Sequence, residues 1–307
     1  LMLMESEQEM EMGAEFCAEL VREGIPARML DKHEVHQDEP NLAPDVAGGM
    51  EVSCDGSLNP MALVQGLGLA ARRLGAEIMT NNEVKCIRQD SEGRIEAIET
   101  ENGTVTAPRA VCCAGAWSSH IGRMVGLDIP VKPRQGQILV SERSRYVARR
   151  KVHEFGYLSA KFEREGYERQ VTSEMKEHGV AFVFEPTTAG NFLIGSSRRF
   201  AGDDVASHMG VLRALAQRAI RFFPMIRDIS VIRSYAGLRP YTPDHLPVIS
   251  ATRVPGFYVA AGHEGDGIGL SLITGKLISE LIAGEEPSLE MEPLKLERFE
   301  NVQNGSD

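Results

Sequence analysis

Fifteen residues near the C-terminal end, Gly256-Phe257-Tyr258-Val259-Ala260-Ala261-Gly262-His263-Glu264-Gly265-Asp266-Gly267-Ile268-Gly269-Leu270, constrain the fold of this chain more than any others. An apolar, strand-like run enters a glycine-dense turn and leaves it as an apolar helix over Gly269–Ala283. Strand, tight turn and helix in immediate succession belong to a layered α/β arrangement. Two readings of the turn stand side by side. Its glycines would let the main chain approach a planar ligand, with free N–H groups and the helix dipole favouring negative charge. Equally, a tight strand-to-helix turn needs glycine for positive φ, and His263 is then an ordinary turn residue.

The same grammar recurs at Ala110–Ala114, an apolar strand closed by Gly115 and followed by a helix from about Trp117 to Val125. Upstream, Asn59 as cap, Pro60 at the first helical position, Leu63, Leu67, Ala70 and Leu74 on one face, and Gly75 as stop predict a helix. Gly66-Leu67-Gly68-Leu69-Ala70-Ala71, inside it, matches the loose dinucleotide pattern G-x-G-x-x-G/A. That motif needs a strand before it and a full helix after it, and too few residues follow, so the match is read as accidental. Short strands over 77–80, 83–89, 94–99 and 104–107 predict a β-meander, with turns at Ser91-Glu92-Gly93 and Asn102-Gly103.

Between the two α/β stretches the pattern changes. Strands are expected over 137–140, 154–160, 180–185 and 192–196, with Thr187–Asn191 as a hairpin turn, forming an antiparallel sheet. A helix over 207–223 turns Met209, Leu212, Leu215, Ala219 and Phe222 inward until Pro224 breaks it. At the start, residues 5–23 read as a surface helix with Met12, Phe16 and Leu20 at helical spacing; 31–50 read as loop, leading to a short strand near 50–53. Residues past Gly284 read as a charged tail. The order predicts one domain interrupted by another.

Composition excludes several classes. The formal charge is −11, from 33 Lys and Arg against 44 Asp and Glu, which disfavours nucleic acid and anionic membranes as partners. No apolar run approaches the roughly 20 residues of a membrane helix. The five cysteines, at 17, 54, 86, 112 and 113, include no C-x-x-C pair and read as a reduced, cytosolic set. No Ser-His-Asp order, His-Glu-x-x-His or ligand cluster supports a hydrolase or a metal enzyme. The opening Leu1-Met2-Leu3-Met4, followed by glutamates, lacks the cationic start of a signal peptide, and a start on Leu predicts upstream sequence.

Three weaker signals complete the set. In Tyr235-Ala236-Gly237-Leu238-Arg239-Pro240-Tyr241-Thr242-Pro243-Asp244, Pro240 holds Arg239 extended, so its guanidinium could grip a carboxylate in bidentate fashion. An Arg before Pro is more often a structural ion-pair partner, and Tyr241 more often packs than binds. Ala114-Gly115-Ala116-Trp117 places the single tryptophan after a strand-ending glycine, and Pro133-Arg134-Gln135-Gly136-Gln137 sits where the α/β layer yields to the antiparallel sheet.

Taken in order, these motifs resemble the D-amino-acid-oxidase-like superfamily of flavoproteins, which includes glycine oxidase, sarcosine oxidase and the D-amino-acid dehydrogenases. The resemblance runs from about Asp55 to Ala283 and also uses Asp55–Pro60, Val84, Asp244 and Pro247. It implies an α/β plus α+β fold: an incomplete Rossmann-like FAD-binding domain over 45–127 and 230–284, interleaved with an antiparallel-sheet substrate domain over 1–44 and 128–229, then a tail over 285–307. It implies FAD as cofactor, with Val84 on the adenine side, Ala114 and Gly115 near the diphosphate, Trp117, Gly136 and Gly262 in the cofactor-binding set, and His263, Glu264, Gly265, Asp266, Gly267, Ile268 and Gly269 at the flavin ring. The helix end near Gly267 would then stabilise anionic reduced flavin. Arg239 matches the arginine that clamps the substrate carboxylate, with Tyr241 beside it.

Gly265 stands where glycine oxidase has a second carboxylate-binding arginine, and the Gly-His-Glu-Gly-Asp-Gly-Ile version looks closer to the flavin subunits of hydrogen cyanide synthase, hydroxyproline dehydrogenase and opine oxidases. The family's opening strand, G-x-G-x-x-G and ribose-binding acid are not found, and a segment of roughly 80 to 100 residues is expected upstream. The activity implied is hydride transfer from the α-carbon of a small amino acid to flavin N5. The substrate would be a D-amino acid, glycine, or a secondary amine of the proline, hydroxyproline or opine type. A demethylating sarcosine-type enzyme and a non-catalytic subunit are the alternatives. A small-molecule substrate, a second subunit accepting electrons, and a cytoplasmic setting, with peripheral membrane association as a variant, complete the expectation.

Overall fold

The structure, a computed structural model, describes residues 1–144, 146–158 and 167–299. It divides into two compact units, unit 1 formed by 1–57, 135–199 and 204–237, and unit 2 by 58–134, 200–203 and 238–307.

Unit 1 is organised by an eight-stranded sheet. Its strands are β1 (Met2–Met4), β2 (Ala27–Leu30), β3 (Gly48–Val52), β8 (Lys132–Ser141), β9 (Val152–Glu154), β10 (Val183–Pro186), β11 (Phe192–Gly195) and β12 (Val231–Tyr241). The order is β12-β8-β11-β10-β9-β1-β3-β2; from β8 to β2 the neighbours are antiparallel except that β1 runs parallel to β9. The expected antiparallel sheet is present, but larger than its sequence signals. The strand expected over 154–160 is replaced by β9, which ends at Glu154, and residues 159–160 lie outside those described.

One sheet face is covered by helix α6 (Met209–Phe222), through Val211, Ala214, Leu215, Ala219 and Phe222. The helix lies within the expected 207–223, and Met209 is 70% exposed, because the inward stripe is 211, 214/215, 218/219 and 222 rather than one starting at 209. The short helix α5 (Ser173–Glu177), capped by the Thr172 side chain, adds buried Met175 to the same core. Phe222 stacks on Phe182 with ring centroids 4.6 Å apart, and Phe184 meets Phe192 at 4.5 Å. Arg218 also lies in the stripe, paired with buried Glu154 and with Glu5. Helix α1 (Glu7–Arg22) forms as expected; Gly13 and Cys17 are buried on it, and Met12, Phe16 and Leu20 pack around Met2, Met4 and Met50. The 31–50 stretch is not all loop. Asp31 and Glu34 make a reciprocal capping box that starts helix α2 (Lys32–Asp38), and buried Val35 anchors it.

Unit 2 contains the three-stranded sheet β13 (Val248–Ala251), β14 (Phe257–Ala261) and β7 (Ala110–Cys112), with β14 parallel to β7. Helix α7 (Gly267–Ala283) packs through Leu277 and Ile278 on Ile249, Tyr258 and Ala260. The other core of this unit joins Ala110, Cys112, Phe257 and Val259 to Ile87 and Ile95 of the meander β4 (Val84–Gln89), β5 (Ile95–Thr100) and β6 (Gly103–Thr106). The meander thus has three strands, since 77–80 is not extended into a strand. Gly115–Trp117 forms a 3-10 turn that runs into α4 (Ser118–Arg123). Past Gly284, Leu296 is only 2% exposed and joins that core, so the described part of the charged stretch docks on its unit.

Helix α3 (Pro60–Arg73) has the expected cap: the Asn59 side chain accepts from the N–H groups of Met61 and Ala62. The inward apolar face expected for it is absent. None of its residues is buried, and Met61, Val64, Leu67 and Leu69 are exposed. Gly66–Ala71 lies in mid-helix, with no strand leading into it.

Candidate functional site

The glycine-dense turn of unit 2 is built from β14, which ends at Ala261, and α7, which starts at Gly267. Gly262 sits at φ +81, and a Cβ there would come within 2.5 Å of Thr242 Cγ2, so both the conformation and the packing demand glycine. Gly269 differs, since a Cβ there would meet nothing within 4 Å. Asp266 makes no side-chain cap to the first turn of α7. At Gly262 the turn needs glycine for its own conformation and packing.

His263 is half-buried, and its Nε2 lies 2.9 Å from Thr274 Oγ1. Burial lowers its pKa, with the Asp266 charge opposing, so it is neutral near pH 7. His263, Gly267, Ser271, Thr274 and Gly275 line a cavity of about 280 Å³ with Cys113 and Ala260. Burial, and then the neighbouring Cys112, raises the Cys113 thiol pKa, which removes thiolate character. The cavity lining thus offers no activated nucleophile. No cluster of His, Cys, Asp or Glu among the described residues could hold a metal ion.

Glu264 ties this turn to the end of β12. It has φ +48, and its N–H donates to the Pro240 carbonyl at 3.1 Å, one residue from Arg239. Its carboxylate pairs with Arg134 and, at 2.7 Å, with His245 Nδ1. The Arg134 guanidinium lies over the Tyr241 ring, 4.8 Å from its centroid, and Tyr241 meets His245 edge-on at 5.3 Å. Arg239, Tyr241, Glu264 and the turn are therefore one connected piece of unit 2.

The remaining expected residues lie apart in the chain. Val84 opens β4; Ala114 and Gly115, the latter at φ +55, lead into the turn whose Trp117 is 57% exposed. Gly136 is in β8, within unit 1. Sequence reasoning missed Arg134 and His245 as members of the cluster. Arg134 lay inside a quoted motif, but its partner is 130 positions away.

A family model described as FAD dependent oxidoreductase (DAO) matches residues 1–281. The chain belongs to this family.

Among its relatives, hydrogen cyanide synthase subunit HcnC of Pseudomonas aeruginosa is 31% identical over 276 residues, covering 89% of this chain and 60% of the relative. Glycine oxidase of Geobacillus kaustophilus is 30% identical, covering 90% and 67%, and an opine oxidase subunit of Rhizobium meliloti is 30% identical, covering 77% and 56%. The chain thus spans about 60% of the length of the hydrogen cyanide synthase subunit. The glycine oxidase crystal structure from G. kaustophilus superposes with a TM-score of 0.83 at 27% identity, over 96% of this chain and 73% of that one. L-proline dehydrogenase from P. horikoshii shares the fold, with a TM-score of 0.85 at 21% identity, over 98% and 76%.

The family cofactor is FAD, and one end of it fits the residues present. The open space at Gly269 and the start of α7 without a side-chain cap suit a planar ring carrying partial negative charge. No described strand-to-helix turn carries G-x-G-x-x-G for the diphosphate. No helix of the described residues is long and apolar enough to cross a membrane.

Proposed function

We propose that this chain carries the flavin-ring and substrate-carboxylate parts of an enzyme that oxidises a small amino acid, either a D-amino acid or a secondary amine of the proline or opine type. The observation that carries the proposal is the 3.1 Å bond from Glu264 N–H to the Pro240 carbonyl, which fixes the Arg239 strand end to the glycine-dense turn. Arg239 binds the carboxylate and so fixes the α-carbon, Tyr241 walls that position, and the first N–H groups of α7 would hold the electron-rich part of FAD. FAD, when bound, would supply the hydride acceptor for the α C–H bond. The amine gives up one proton to solvent on binding uncharged, hydride loss leaves an iminium, and the iminium passes its proton to solvent as the imine forms; no described side chain is assigned a proton-transfer role. Replacing Arg239 by Ala raises KM for carboxylated substrates by on the order of 100-fold; an unchanged KM refutes the clamp.

A second reading, a subunit that works only within a flavoprotein complex, is favoured by Gly66–Ala71 lying in mid-helix, which leaves the diphosphate to another segment. Two similar proteins, HcnC and the opine oxidase relative, are named as subunits. Visible flavin absorbance of the purified chain separates the readings. Release of formaldehyde rather than ammonia identifies the demethylating variant of the reaction.

A further inference from the structure

Glu264 combines features that a loop residue rarely combines. Its carboxylate is 2% exposed, its backbone is in the left-handed region at φ +48, and both its oxygens have charged or titratable partners. The partners come from two other segments: Arg134 from the start of β8, its side chain 8% exposed, and His245 from the turn after β12, itself at φ +63. A buried ion pair is seldom a net gain in stability over apolar residues of similar size, whereas removing one partner strands a buried charge. What such a pair does supply is a single geometry. Here the geometry it fixes is that of the glycine-dense turn relative to the end of β12.

We propose that Arg134, Glu264 and His245 form a positioning triad that locks the Gly262–Gly269 turn to the strand end bearing Arg239. Glu264 is the hinge of the arrangement. Its side chain is held by Arg134 and His245 while its N–H holds Pro240, so displacing the carboxylate displaces the backbone next to Arg239. Tyr241 closes the ring, with the Arg134 guanidinium on its face and the His245 ring at its edge, and the edge of Phe200 is 5.0 Å away. The role assigned to the triad is to position these elements. Its catalytic relevance rests on the proposed function, but its structural effect does not.

The experiment compares Glu264→Gln, Arg134→Lys and the double variant Arg134→Met with Glu264→Leu, all in the full chain. Amide hydrogen exchange is followed at 262–269, at 238–242 and in the β4–β6 meander, beside urea unfolding and, in the flavin-loaded enzyme, KM and kcat. Glu264→Gln is expected to speed exchange at 262–269 and 238–242 together, by on the order of 100-fold, while the meander is unchanged. Arg134→Lys, which keeps the charge, retains most of the protection. The double apolar variant recovers the urea midpoint but not the protection, and its KM for carboxylated substrates stays raised by on the order of tenfold. Unaltered exchange in Glu264→Gln, or a double variant that restores both protection and KM, overturns the triad. Coupled loss of protection with KM unchanged in Arg239→Ala leaves the triad standing and refutes the substrate reading instead.

Discussion

Replacing Gly262 by Ala places a single methyl group where two separate costs arise. The residue is at φ +81, and an L-residue in the left-handed region costs about 1–2 kcal/mol. The new Cβ would stand 2.5 Å from Thr242 Cγ2, against an ordinary carbon contact of about 3.5–4.0 Å. Thr242 cannot simply rotate away: it is fully buried, and its Oγ1 donates to the Leu246 carbonyl at 2.8 Å. Overpacking of this kind costs about 1–3 kcal/mol, so the total is about 2–5 kcal/mol. The assay is urea unfolding followed by the fluorescence of Trp117, the only tryptophan, which lies in unit 2. Thr242→Ser keeps the hydroxyl and deletes the clashing methyl. In the Gly262→Ala background it should recover the overpacking part and leave about 1–2 kcal/mol of backbone strain. Strictly additive costs for the two substitutions would refute the close packing of the turn on Thr242.

Three further outcomes follow from the geometry. Leu296→Ala should cost about 2–5 kcal/mol, measured by the same fluorescence assay, because Leu296 fills the unit 2 core rather than a tail. Arg218→Met should destabilise unit 1 by about 3 kcal/mol in urea unfolding, towards the low end for breaking a buried pair, because Arg169 still pairs with Glu154 at 2.6 Å. His153 has its pKa lowered from 6.5 to about 4, chiefly by burial, with the Lys151 charge acting in the same direction. Its folded pKa is depressed, so the unfolded chain binds the proton first and stability is lost as pH falls from 6.5 towards 4, by about 3 kcal/mol in all. His153→Gln should flatten that slope in unfolding curves taken across the interval.

Where local chemistry decides an element, the sequence was enough. Asn59 and Pro60 start α3, and the Thr187–Asn191 turn closes its hairpin with Thr187 N–H donating to the Asn191 carbonyl at 2.9 Å. Where tertiary pairing decides, it was not. Met2–Met4 is too short to announce itself as a strand and exists because β3 and β9 flank it. The eleven-residue β12 contains Gly237 and Pro240, both strand-weakening residues, yet pairs beside β8 in the large sheet. Helix α2 had a legible signal in Asp31 and Glu34, overlooked because only Val35 in it is buried. At the site, the glycine-dense turn and Arg239 stood out because glycine and proline restrict the backbone locally. The link between them did not, because Arg134, His245 and Glu264 are joined by charge across the fold and no short pattern encodes that. The apolar residues of α3 show the reverse failure: helical periodicity foretold a buried face, and the structure leaves those side chains exposed.

The most direct test of the central claim is anaerobic mixing of the flavin-loaded protein with a panel of D-amino acids, glycine, N-methylglycine, prolines and opines, watching the visible flavin band. The account predicts that at least one carboxylated amine bleaches the band, and that Arg239→Ala shifts the half-bleaching concentration upward by on the order of 100-fold while dithionite still reduces the flavin fully. A flavin that dithionite bleaches but no amine or amino acid does would contradict it.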